Sequence, residues 1–181
     1  MNIPIFLSYP KPCTLKQQEF VATLIAYLDS RGIAARTLGV TDYDLDSPLR
    51  AIRRLLLESS GLITIAFRRT YIEQGYSRYG SDIQGVTPVA ISGQWLSSPW
   101  AQIEPAMAYQ LGLPILLLRE SGVIDEGILE KGIAGVYLPE FSLAENALHY
   151  FQSPEWHGVI GKWEGYVRSV VDKKGNPPQL Y

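Results

Sequence analysis

In the stretch SPWAQIEPAMAYQLGLPILLL (98–118), Glu104 is the one charged residue. Trp100 lies four residues before it, so on a helix the two share a face. A carboxylate beside an aromatic plate suits a ligand with a planar ring next to a developing positive charge. The bland reading is an acid in the first turns of a helix, favoured by the helix dipole by ~0.3–1 kcal/mol. Pro105 follows at once. Inside a helix it costs about 3 kcal/mol and leaves the carbonyl of Ala101 without its donor. Alternatively it begins the helix, with Glu104 at the mouth.

Other groups offer less. The run Asp42-Tyr43-Asp44-Leu45-Asp46 starts like a calcium loop, but Ser47 stands where a glycine is needed and Arg53 where a bidentate acid is needed. Calcium is excluded. What remains is a solvated loop, or a flap whose Asp42 or Asp44 reaches sugar hydroxyls. Arg68 and Arg69 end an apolar run and either pair with phosphate or meet solvent. Ser8 and Tyr9 end another, where backbone N–H groups could meet a nucleotide. There is one cysteine, Cys13, and there are two histidines, His149 and His157, in no metal-binding pattern. Disulfides, cysteine zinc sites, a resident metal and a histidine-based triad are therefore unsupported, and acid–base work falls to carboxylates. Neither a dinucleotide glycine fingerprint nor a P-loop occurs.

Around these groups the chain reads as alternating strands and helices. Residues 3–8 are a strand-sized apolar run. Thr14-Leu15-Lys16-Gln17 fits a capping box, and Val21, Leu24, Ile25 and Leu28 give the following helix one apolar face before Gly32 stops it. Residues 33–38 form a second strand and 39–48 a polar loop. Ser47-Pro48 opens a second helix, with Leu49, Ile52, Leu55 and Leu56 inward, and 62–67 are a third strand. Residues 68–97 show no clear period, which predicts a long functional loop or hidden short elements. A helix is predicted over about 98–111, strands over 114–119 and 133–138, and a short helix within 120–132. Ser153-Pro154 opens a long amphipathic helix reaching about Lys174. Strand–helix alternation predicts a parallel α/β sheet. Ligands of such sheets sit beyond the carboxyl ends of the strands. That rule selects Ser8 to Pro12, the 39–48 loop, Phe67 to Arg69 and the helix bearing Glu104.

The formal net charge of −2 offers no bulk basic field for nucleic acid or anionic membrane. No run is long enough to span a bilayer and the N-terminus lacks a signal-peptide pattern, so a cytoplasmic protein is expected.

Phe6-Leu7-Ser8-Tyr9 resembles the first strand of TIR (Toll and interleukin receptor homology) domains, and Ser98-Pro99-Trp100-Ala101-Gln102-Ile103-Glu104 looks like their S-x-W-x-x-x-E stretch. The order of elements over about 3–140 is similar too. The resemblance implies a flavodoxin-like five-stranded parallel sheet with helices on both faces, spanning 1–141. Residues 142–181 would be a C-terminal helical extension packed on the same domain. It implies cleavage of NAD at the nicotinamide–ribose bond, with NAD as substrate and no further cofactor. Glu104 would be catalytic, Trp100 would shape the pocket, and Ser8, Tyr9, Asp42, Tyr43, Asp44, Phe67 and Arg68 would line the nucleotide site. Self-association, and a nucleotide product acting on a separate effector in antiphage defence, are implied partners. Three features depart from the family: the length of 68–97, Pro105, and the helix at 153–174. Ala108 to Ile115 also resembles nucleoside 2-deoxyribosyltransferases, where the glutamate is a nucleophile. A non-catalytic TIR interaction module is the third reading.

Overall fold

Strands buried on both faces read as nearly continuous apolar runs, and 3–8, 62–66 and 115–120 are such runs, broken only by Ser8, Thr64, Arg119 and Glu120. In the computed structural model, which describes residues 2–173 apart from 46, 136 and 145, these runs form the middle of one sheet. The elements in chain order are β1 (Ile3–Ser8), α1 (Leu15–Ser30), β2 (Ile33–Arg36), α2 (Pro48–Leu57) and β3 (Leu62–Ala66). Then come β4 (Thr70–Tyr71), β5 (Tyr76–Ser77), β6 (Val89–Ala90), β7 (Trp95–Leu96), α3 (Trp100–Gln110) and β8 (Ile115–Glu120). A 3-10 turn (Gly127–Leu129), β9 (Glu140–Phe141), α4 (Ala147–Phe151) and α5 (Pro154–Asp172) complete the described chain.

The central sheet is parallel, with strand order β2-β1-β3-β8-β9. This is the flavodoxin-like order. The chain steps from β1 to one side, then returns across it to β3, so the carboxyl ends of β1 and β3 are the switch point where such sheets bind ligands.

Strand parity assigns the helices to faces. Ile5, Leu7, Ile63, Ile65, Leu116 and Leu118 pack with Phe20 and Leu24 of α1 and with Trp156, Ile160, Trp163 and Val167 of α5. The alternate residues Phe6 and Leu62 pack with Ile52, Leu55 and Leu56 of α2 and Ala108 of α3. Ala66 and Leu117 meet Ala101 of α3 and Leu129. Thr14 caps α1 by accepting from the Gln17 amide, but the Gln17 side chain reaches back to the Cys13 amide, not to that of Thr14.

Two expectations are corrected. The fifth strand is β9, not 133–138. Residues 131–134 form a turn, Ile133 is exposed, and Val136 lies outside the described residues. Phe141 wins the edge position because its ring stacks on Phe20 at 4.2 Å while Arg119 of β8 bonds Glu140 at 2.8 Å. The second strand stops at Arg36, where Thr37 turns its hydroxyl to the Leu7 carbonyl. Within 120–132 the short helix is a single 3-10 turn. The 68–97 segment hides two small antiparallel ladders, β4 with β7 and β5 with β6, in one hairpin arm. The expected end of α5 at Lys174 lies outside the described residues. Among those described, no helix is long and apolar enough to cross a membrane.

Candidate active site

Ser8 is the last residue of β1 and shares parity with Phe6, so it points to the α2 and α3 face. There its hydroxyl donates to the Glu104 carboxylate. Ser98 accepts from the Trp100 amide at 3.3 Å and Pro99 is already helical, so α3 starts at the rim of the sheet and Glu104 lies in its second turn. Pro105 is inside the helix and does not begin it. Glu104 is 8% exposed, whereas Trp100 is 38% exposed on the same side. Burial pushes the Glu104 carboxyl up to about 7, against the opposing pull of the Ser8 hydroxyl. Near neutral pH the group is therefore divided between acid and base forms.

Both residues open onto a cleft of about 560 Å³ at the switch point. Tyr9, Ile52 and Trp100 give it an aromatic and apolar wall, Thr37 adds a polar residue, and Lys11 and Arg69 place cations at it. Glu104 is the one carboxylate among the described residues that line it. Tyr9 is half-buried, and this burial raises its phenol, with a hydrogen bond to Thr37 working against the rise. The loop from Pro10 to Cys13 forms one wall, pinned by the buried Gln17. That side chain accepts from the Cys13 amide at 2.9 Å and donates to the Arg68 carbonyl and to Glu120 at 3.1 Å each. An amide has enough donors and acceptors to serve all three.

Of the residues expected here, Ser8, Tyr9, Trp100 and Glu104 come together. Phe67 does not: it continues the parity of Ile65, is 1% exposed, and packs edge-on to Phe20 and Phe141 in the core. Arg68 turns away as well. Its Nε donates to the Ser121 carbonyl, its amide donates to Glu120 at 2.8 Å, and its guanidinium lies 5.8 Å from the Trp95 ring centre. Its neighbour Arg69 takes the place at the cleft. Asp42 is paired with Arg36, which holds its carboxyl below the usual range, and Asp44 is paired with Arg54 at 2.9 Å. Neither acid lines the cleft, and Tyr43 is exposed. Lys11 lies within the expected Ser8 to Pro12 loop but is not singled out by the sequence, and Thr37 falls outside every expected site. Lys11 sits one residue beyond Pro10, where no periodicity applies, and Thr37 reads as strand. Among the described residues, no cluster of three or more His, Cys, Asp or Glu side chains could hold a metal ion.

No protein-family model matches the chain, and no curated protein matches it. Among solved structures, it is similar to the CMP N-glycosidase BcmB of Clostridium botulinum, at TM-score 0.45 and 14% identity, over 82% of this chain and 95% of that one. The TIR domains of the activated Roq1 resistosome, which recognizes the pathogen effector XopQ, match at TM-score 0.41 and 14% identity, over 96% and 77%. The flavoenzyme NAD(P)H:acceptor oxidoreductase FerB of Paracoccus denitrificans matches at 0.34 and 10%, over 94% and 95%. The fold class stands on the sheet order, and the chemistry on the residues of the cleft.

Proposed function

We propose that this chain cleaves the nicotinamide–ribose bond of NAD, as a hydrolase or cyclase, with Glu104 as the catalytic residue. The observation that carries the reading is the buried Glu104 carboxylate, seated on Ser8 and facing a cleft at the switch point. Breaking an N-glycosidic bond builds positive charge on the ribose. An ionised carboxylate in a dry site stabilises that charge more than it would in water. Nicotinamide is cationic while bonded and leaves without protonation, so one carboxylate suffices. Trp100 offers a half-exposed ring for stacking. Lys11 and Arg69 favour a substrate that carries phosphate over a free nucleoside, which counts against the deoxyribosyltransferase reading. The resemblance to TIR domains extends the proposal to self-association and to a nucleotide product that signals to a separate effector.

The test is nicotinamide release from NAD by the purified protein, followed by chromatography, with and without a crowding agent that promotes self-association. Wild type is expected to release nicotinamide, at a rate that rises with pH through about 7 as Glu104 loses its proton. Glu104→Gln is expected to lower the rate by at least about 100-fold. Equal rates in the two proteins, or silence of wild type in both conditions, would overturn the reading. Cytosine release from CMP, run in parallel, asks whether a nucleotide with a neutral base is taken instead.

A further inference from the structure

Thr64 lies in the middle of β3, fully buried, and its hydroxyl has no hydrogen-bond partner among the described residues. Burying an unpaired hydroxyl is unfavourable, and a valine would fill the same space without that cost. Its direction follows from its neighbours. Leu62 packs in a cluster with Ala108 of α3, and Ala66 in a cluster with Ala101. Thr64 shares their parity and sits between them, so it faces α3 midway between these contacts, where the buried Glu104 and Pro105 lie. In the sheet Thr64 is the register partner of Ser8. Two hydroxyls on adjacent strands thus sit beneath one carboxylate. One is bonded to it and the other is unused.

We propose that Thr64 is a positioning residue whose hydroxyl turns to donate to Glu104 when that carboxylate is ionised, giving the reacting form a second donor. The proposal rests on the reading of Glu104 as the reacting group. The other titratable groups that share the cleft are Tyr9, Lys11, Cys13 and Arg69, and β3 presents none. On the same face of β8, Arg119 is held by Glu140 and Asp125. The 3-10 turn against α3 is flanked by Glu126 and Glu130, while α2 presents the apolar Ile52. Among these groups, Ser8 and Thr64 are the hydroxyls on the strands under Glu104. The rival acceptor for Thr64 is the Ala101 carbonyl, which Pro105 deprives of its helical donor.

The experiment is a carbon-13 titration of glutamate side-chain carboxyls, with the Glu104 resonance assigned by its loss in Glu104→Gln. Thr64→Val is expected to raise the Glu104 midpoint by about one unit, a tenfold change in proton affinity. Thr64→Ser, which keeps the hydroxyl, is expected to stay near wild type. If the protein turns over NAD, the rising limb of its pH–rate profile moves with the midpoint and KM stays unchanged. An unchanged midpoint in Thr64→Val overturns the proposal, as does a Thr64→Ser protein that behaves like the valine variant. The titration needs no turnover, so a failure of the NAD reading and a failure of this inference are read separately.

Discussion

Glu104 is costly to the fold above neutral pH. Its carboxyl titrates at about 7 when folded and near 4.5 when free, so the unfolded chain ionises first. The raised value means that stability is fully present below about 4.5, declines as pH rises toward 7, and stays low beyond. A gap of this size is worth on the order of 3 kcal/mol. Glu104→Gln removes the titration, so it is expected to raise Tm at pH 8 and leave it unchanged at pH 4; calorimetry at the two values checks this. A variant that gains nothing at pH 8 would show that the carboxyl is better solvated than its burial indicates. At this scale the sequence was legible where spacing carries meaning. The four-residue step from Trp100 to Glu104 and the strand-end Ser8 both led to the cleft. One-residue ambiguities were not legible. Phe67 continues the alternation of β3 into the core, whereas Arg69 has the same parity and lines the cleft because the chain has already left the sheet, and nothing local in the sequence marks where alternation stops. Asp42 and Asp44 are anchored by Arg36 and Arg54, partners that only the folded chain brings close.

The elements carry their own lesson. α3 runs through Pro105, so the helix tolerates a lost hydrogen bond at the turn that holds the carboxylate. Helix caps and apolar periodicity located the starts of α1, α2 and α5 within a residue, because these signals are local, whereas α2 stops at Leu57, short of the glycine at 61. β9 was misplaced because a two-residue edge strand has no period, and its site is chosen by Phe20 and Arg119, both distant in sequence. The 68–97 arm was unreadable for the same reason: its ladders are two residues each. Its base is tight, with Ile72 and Gly93 joined by a 2.8 Å backbone bond, while β5 and β6 are exposed. Replacing 73–92 by Asn-Gly between Ile72 and Gly93 is therefore expected to leave Tm within about 2 °C of wild type. Thermal unfolding checks this, and a fall of about 10 °C would show that the tip packs on the body. Nicotinamide release by the same variant would tell whether the tip also acts on the cleft.

In the whole molecule, α1, α4 and α5 cover one face of the sheet while α2 and α3 cover the other. The dense aromatic core of Phe20, Phe141, Phe151 and Trp156 lies opposite the cleft. α5 is seated at the amino edge of the strands. Trp163 donates to the Pro114 carbonyl at 3.2 Å, and a Cβ added at Gly61 would meet Val167 Cγ2 at 2.7 Å and Trp163 at 3.2 Å. Gly61→Ala is thus expected to push α5 outward and destabilise the chain by about 1–3 kcal/mol, or about 4–10 °C in Tm. Chemical denaturation measures it, and an unchanged midpoint would mean that the helix shifts freely. Because α5 and the cleft lie on opposite sides and opposite edges, the variant is expected to keep the Glu104 titration of wild type. The same separation divides the tryptophans optically. Trp156 and Trp163 are fully enclosed and should emit blue-shifted light until the core opens, whereas Trp100 stands half-exposed beside the carboxylate and should emit to the red. Trp95, partly exposed on the hairpin arm, adds to the long-wavelength side, so the difference between wild type and Trp100→Phe isolates the signal that follows occupancy of the cleft, while the short-wavelength side follows unfolding.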